Sequence, residues 1–140
     1  MDSLVSDLME TDVVSVGETR TLEAVGRRLH EAGVGSVIVE SSDGVPVGIL
    51  TKRDLLRAIA ESDRPLEDLE ASEYMSRPLL TVAPDRPVRR AVRKMNEEGI
   101  EQLAIVEDYE VIGIIAQRDV IESYETLIKA AHRAERRPER

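Results

Sequence analysis

The chain has no cysteine, no phenylalanine and no tryptophan, and only three tyrosines. Without cysteine there are no disulfides, no thiolate metal sites and no thiol nucleophile. With aromatics at 2%, the core has to be aliphatic, and the stacked rings on which single-stranded nucleic acid rests are missing. Histidine occurs only at positions 30 and 132, too sparse for a zinc site built on imidazoles. His30, beside Arg27 and Arg28, reads as a surface residue. His132 falls in the charged tail HRAERRPER, which reads as a solvated helix end. No apolar run approaches the ~18 residues of a membrane span. The opening MDSLVSDLMETD is acidic and has no apolar stretch, so a secretory leader is not expected. The expectation is a cytoplasmic protein without membrane attachment and without a metal site.

What is present is a globular balance, 41% hydrophobic and 34% charged over 140 residues. A chain of this length buries roughly 68–70% of its unfolded surface. Twenty-eight acidic against 19 basic residues give a net charge of −9, which disfavours a duplex-binding surface. Lysine is confined to Lys52, Lys94 and Lys129. Acid excess with few lysines suits the salt-rich cytoplasm of a halophilic archaeon, and equally a GC-rich genome. No Ser/His/Asp set, paired carboxylates or phosphate loop can be assembled, so an enzyme is not expected.

The chain contains itself twice. An offset of 66 aligns Met9 with Met75, Val16 with Val82, Leu29 with Met95, Gly33 with Gly99 and Val39 with Ile105. After one deletion in a turn, an offset of 65 aligns Gly48 with Gly113 and Asp54 with Asp119. The repeats are placed at 1–68 and 69–128, followed by a charged helix end and tail at 129–140.

Each repeat reads β-α-β-β-α. An extended piece comes first (Val13–Val16; Leu79–Val82). Leu22, Val25 and Leu29, or Val88, Ala91, Val92 and Met95, then share one helical face. Gly33 and Gly99 stop those helices. The unbroken apolar runs Val37–Val39 and Leu103–Val106 predict strands buried on both faces. Turns SSDG and EDYE lead to strands Val45–Leu50 and Val111–Ile115. A last helix is expected to turn Leu55, Leu56 and Ile59, or Val120, Ile121 and Tyr124, inward. The fold class is α/β (α+β). One copy alone covers a sheet poorly, so the two should pack about a pseudo-two-fold axis.

The runs G-V-G-S-V-I-V-E and V-G-I-L-T-K-R-D, repeated as G-I-E-Q-L-A-I-V-E and I-G-I-I-A-Q-R-D, resemble the cystathionine-β-synthase (CBS) domain. The resemblance covers about residues 4 to 128. It implies a tandem pair, a Bateman module, that is regulatory rather than catalytic. Such a pair takes an adenosine-containing ligand (AMP, ADP, ATP or S-adenosylmethionine) in the cleft between copies and signals to an effector protein. It commonly forms a homodimer through the last helix of each copy, here about Leu55–Ala60 and Val120–Ile128.

The strongest local feature is Thr51-Lys52-Arg53-Asp54. As it stands this is a capping box, with Thr51 capping a helix and Asp54 reaching back. The second copy reads Ala116-Gln117-Arg118-Asp119, where alanine has no hydroxyl to cap with, at a cost of about 1 kcal/mol. A carboxylate kept without its hydroxyl partner points beyond capping, although an acidic residue in a first helical turn is favourable in itself by about 0.3–1 kcal/mol. By the resemblance, the aspartate holds a ribose and the preceding hydroxyl meets a phosphate at a helix start. Carried over, Thr51 and Asp54 form the polar end of one site. Ile49 of their own copy and Leu79, Leu80, Ile100 and Gln102, assigned to the opposite copy, complete it. Asp119 and Arg118 form the other polar end, with Ile114 and, from the first copy, Val13, Val14 and Val34; Ser36 is a further ligand-facing candidate. Glu101 would repel a phosphate. The expectation is therefore one strong site at Thr51/Asp54, the other being empty or suited to S-adenosylmethionine. The alternative is a structural or dimerising module with vestigial pockets.

Overall fold

The computed structural model describes residues 3–135, the side chains of 126, 127, 134 and 135 excepted. It is a mixed α/β structure with two three-stranded sheets. The first sheet contains β1 (Ser15–Gly17), β2 (Ser36–Glu40) and β3 (Pro46–Thr51), in that order; the second contains β4 (Thr81–Val82), β5 (Gln102–Glu107) and β6 (Glu110–Ala116). In each, the first strand runs parallel to the second and the second pairs antiparallel with the third. The parallel pairs are connected by α2 (Leu22–Ala32) and α5 (Val88–Glu98), because parallel neighbours need a crossover. The third strands run into α3 (Lys52–Glu61) and α6 (Gln117–Glu135). The tail expected from 129 is thus helical as far as Glu135. Arg136, Arg137 and Arg140 lie outside the described residues.

The chain divides into two compact units that do not coincide with the sequence repeats. Asp12–Leu80 forms one, and the residues up to Thr11 join Thr81 onward in the other. The cause is two short helices that the β-α-β-β-α reading did not contain, α1 (Val5–Leu8) and α4 (Ala71–Tyr74). Each is a single turn followed by a methionine that seats on the glycine of a hairpin. A Cβ on Gly48 would stand 2.8 Å from both Met75 Sδ and the Ser76 carbonyl; one on Gly113 would stand 2.8 Å from Met9 Sδ and 2.9 Å from the Glu10 carbonyl. Backbone bonds seal each contact: Ile49 and Ser76 exchange both hydrogen bonds, as do Ile114 and Glu10. The N-terminal turn therefore belongs with the second hairpin, about a hundred residues away in the chain.

Helix and strand cores follow the sequence pattern. Leu22, Val25 and Leu29 are buried on α2, and Ala91 and Met95 on α5. Gly33 and Gly99 take left-handed φ of 67° and 66° beyond those helices, a conformation that carries little cost only without a Cβ. Val37, Ile38 and Val39 are buried, as are Leu103, Ala104 and Ile105. Each fully buried side chain of this kind contributes about 1.5–3 kcal/mol. Among the described residues no helix is long and apolar enough to cross a membrane.

Two expectations are corrected. The first strands begin two residues later than read, at Ser15 and Thr81, because the paired register with β2 and β5 covers Ser15–Gly17 and Thr81–Val82; Val13, Val14, Leu79 and Leu80 precede them. The last helices also do not turn their large residues inward. Leu56 and Ile59 are 66% and 60% exposed, and Ile121 and Tyr124 are 57% and 64% exposed. On α3 the inward positions are Asp54 and Ala58, one turn apart, with Leu55 half-buried beside them. The helix starts directly on a buried strand end, so its first turn presents the capping residue to the interior.

Candidate functional site

Thr51 is both the last residue of β3 and the N-cap of α3, in extended conformation (φ −117°, ψ 170°). Asp54 Oδ2 accepts from the Thr51 amide at 2.8 Å and from the Thr51 hydroxyl at 3.2 Å, while Thr51 Oγ1 accepts from the Asp54 amide at 3.4 Å. This is a closed capping box, with Asp54 buried to 8% exposure. The corner is fixed from the adjacent strand: Ser36, also buried, pairs with Thr51, and the Lys52 amide donates to the Gly35 carbonyl at 3.3 Å.

The second corner repeats half of this. Asp119 Oδ2 accepts from the Ala116 amide at 2.9 Å. Gln102 pairs with Ala116, and the Gln117 amide donates to the Glu101 carbonyl at 3.0 Å. The aspartate half of a capping box needs only the backbone N–H of the N-cap residue, which alanine supplies as well as threonine. Half a box is therefore motivated after all, and the reading that a carboxylate kept without its hydroxyl partner points beyond capping is corrected: both aspartates cap.

The candidate residues distribute as follows. Thr51, Asp54, Ser36, Ile49, Leu79, Leu80, Val13, Val14 and Val34 lie in the 12–80 unit; Ile100, Gln102, Ile114, Arg118 and Asp119 lie in the other. Leu79 and Leu80, assigned to the opposite copy, thus share Asp54's own unit. They follow Ser76, which is bonded to Ile49, on one continuous stretch of chain. Val14 and Val34 pack against the aliphatic core of that unit, and the Val14 carbonyl accepts from the Ile38 amide at 2.8 Å. Lys52, Arg53 and Arg118 are exposed.

Arg57 was missed. Its Nη2 stands 3.5 Å from Asp54 Oδ1 and donates to the Tyr74 carbonyl at 2.9 Å. The signal was there, since residues three apart on a helix share a face, but the partner carbonyl is seventeen residues away.

The CBS-domain family model matches residues 5–61 and 71–126. An uncharacterized protein of Methanopyrus kandleri is 32% identical over 84% of this chain and 61% of its own length. A homoserine O-acetyltransferase of Methanohalobium evestigatum is 30% identical over 83% of this chain but only 23% of its own length. The chain thus spans less than two thirds of these relatives. The solved structure of a CBS domain protein from Pyrobaculum aerophilum complexed with AMP superposes with a TM-score of 0.79 at 28% identity, over 93% of this chain and 99% of that one. A family match over two consecutive segments, laid on two sheets of identical strand order, makes this chain a member of the CBS-domain family carrying two tandem copies.

Proposed function

We propose that the chain is a regulatory sensing module that binds an adenosine-containing ligand, with Thr51 and Asp54 as the polar end of its principal site. The observation that carries this reading is the division of labour on Asp54. Capping occupies Oδ2, and Oδ1 stays on the other side of the same buried, oriented carboxylate. A ribose hydroxyl is a donor that such an oxygen accepts beside the Arg57 guanidinium, without any rearrangement of the cap. The start of the ten-residue helix α3 favours a phosphate alongside, since helix N-termini carry partial positive charge, and the Thr51 hydroxyl can serve it by turning its one proton away from Asp54 Oδ2. Ile49, Leu79 and Leu80 supply apolar contact for a base. AMP is the ligand that these features favour, and the AMP complex of the Pyrobaculum relative supports the same class.

The Asp119 corner lacks the hydroxyl, and Glu101 is attached to it through the Gln117 amide. A phosphate is disfavoured there, so that corner suits an adenosyl ligand without one, S-adenosylmethionine. Ligand binding regulates only if it favours one arrangement of the protein over another. We place the readout in a homodimer and a separate effector protein, with the exposed Leu56 and Ile59 of α3 in one unit, and Ile121, Tyr124 and Ile128 of α6 in the other, as contact residues.

One finding favours the alternative, a dimerising module that binds nothing: both aspartates are satisfied as helix caps. A thermal-shift series with AMP, ADP, ATP, GTP and S-adenosylmethionine separates the two readings. A specific ligand at 100 times its Kd stabilises the fold by about 2.7 kcal/mol. Asp54→Asn, which retains an oxygen for the Thr51 amide, should abolish the AMP shift while the unliganded protein still folds. If no adenosyl compound moves the transition at millimolar concentration, the sensing reading fails and the dimerising one stands.

A further inference from the structure

We propose that Arg57 is the positioning residue of the Asp54 site, holding the carboxylate in register with the chain segment that carries the site's apolar residues. The proposal rests on the reading of that corner as an adenosine site. Arg57 lies one turn beyond Asp54 on α3 and is about half exposed, yet it is engaged on several sides. Nη2 donates to the Tyr74 carbonyl at 2.9 Å and stands 3.5 Å from Asp54 Oδ1. The guanidinium carbon lies 5.1 Å from the centroid of the Tyr74 ring, and Nη1 is 3.9 Å from Glu61 Oε2. The Glu61 pair is exposed and contributes little. The other contacts form a bracket. A planar guanidinium can serve two acceptors and cover a ring face together, which an ammonium on a flexible stem does not.

The bracket joins the two parts of the site. At one end, the Thr51 amide and hydroxyl take Oδ2 while Arg57 faces Oδ1, so both oxygens of Asp54 are located. At the other end, the Tyr74 carbonyl closes α4 just before Met75 and Ser76. Met75 packs on Gly48, Ser76 pairs with Ile49, and Leu79 and Leu80 follow. A shift of that segment relative to α3 would break the Tyr74 bond, so the guanidinium fixes the distance from carboxylate to apolar surface. A carboxylate oxygen has room for a ribose hydroxyl beside the guanidinium, so Arg57 acts through Asp54 and need not touch the ligand. The repeat supplies its own contrast, because the position equivalent to Arg57 is Glu122, one turn beyond Asp119. A second carboxylate there cannot hold the first by charge.

The test is calorimetric titration of AMP into the full chain and into Arg57→Ala and Arg57→Lys, with unliganded melting recorded for each. Arg57→Ala should weaken AMP about tenfold, the scale of one charge-assisted hydrogen bond, with the unliganded melting temperature lowered by only a few degrees. Arg57→Lys should recover part of the loss, since it restores charge without the fork. Equal AMP affinity in wild type and Arg57→Ala overturns the positioning role and leaves the adenosine site standing. A loss that follows the melting temperature and is not recovered by lysine makes Arg57 merely structural and also overturns it. Failure of the wild-type chain to bind AMP removes the AMP site at Asp54, and this proposal with it.

Discussion

The two strand-to-helix corners differ in one N-cap side chain, threonine at 51 and alanine at 116, and yet their aspartates do the same thing. Asp54 and Asp119 each accept the N-cap amide through Oδ2, at 2.8 and 2.9 Å. The threonine corner adds a second donor to the carboxylate and returns a hydroxyl to the Asp54 amide. The lesson concerns what a retained residue means. Persistence of an aspartate across an internal repeat is explained by a backbone bond that any N-cap residue offers, so it does not argue for a ligand. What separates the corners is the hydroxyl and the residue one turn further on, arginine in one and glutamate in the other.

The comparison can be broken most forcefully in the cores. Leu50 and Ile115 are equivalent and completely buried. Leu50→Ala and Ile115→Ala should each cost about 2–5 kcal/mol in urea denaturation. Unequal losses would show that the two units are not energetically alike. Next come the hairpin glycines. Gly48→Ala and Gly113→Ala should each cost about 1–3 kcal/mol by overpacking. Adding Met75→Ala to Gly48→Ala should fail to restore stability, because the Ser76 carbonyl remains 2.8 Å from the new Cβ; full recovery would show that the methionine alone sets the fit.

Smaller effects sharpen the contrast between corners. Asp54→Ala should lower stability by about 1–2 kcal/mol and Asp119→Ala by nearer 1 kcal/mol, since the former removes the threonine hydroxyl's partner as well. Identical losses would mean that the hydroxyl bond contributes nothing. Ala116→Thr should gain about 0.5–1 kcal/mol by completing the second box, and Thr51→Ala should lose a similar amount. The smallest change is expected from Leu56→Glu with Ile59→Glu, within about 0.5 kcal/mol when melting is recorded on the monomer at concentrations below dimerisation, because both side chains face outward. A large loss would contradict the helix orientation described.

Much of the fold was legible because its signals are local. The glycines at 33 and 99 announced the helix ends, and the unbroken apolar runs announced the middle strands. The last helices were misread because their apolar residues were taken for a core stripe. Leu56 and Ile59 have the spacing of a buried face, and hydropathy cannot tell a face that meets the sheet from one that meets solvent. In α3 the buried positions fell to Asp54 and Ala58, which are polar and small. At the candidate site, Thr51 and Asp54 were found from a three-residue spacing. Arg57 was not, because its role depends on the carbonyl of Tyr74, a backbone atom with no signature in the sequence.

The duplication, the aliphatic core, the main strands and helices of each repeat and the glycine ends of α2 and α5 were legible in the residues alone, since each depends on positions close to one another, whereas the single-turn helices α1 and α4 were not. Which hairpin each methionine turn covers was left to the folded backbone. Met9 and Met75 are interchangeable in the repeat, as are Gly48 and Gly113, so either pairing satisfies the local pattern. The chain seats Met75 on the nearby Gly48 and Met9 on the distant Gly113. That choice depends on which surfaces the folded backbone brings within 3 Å, and separation along the sequence carries no information about it.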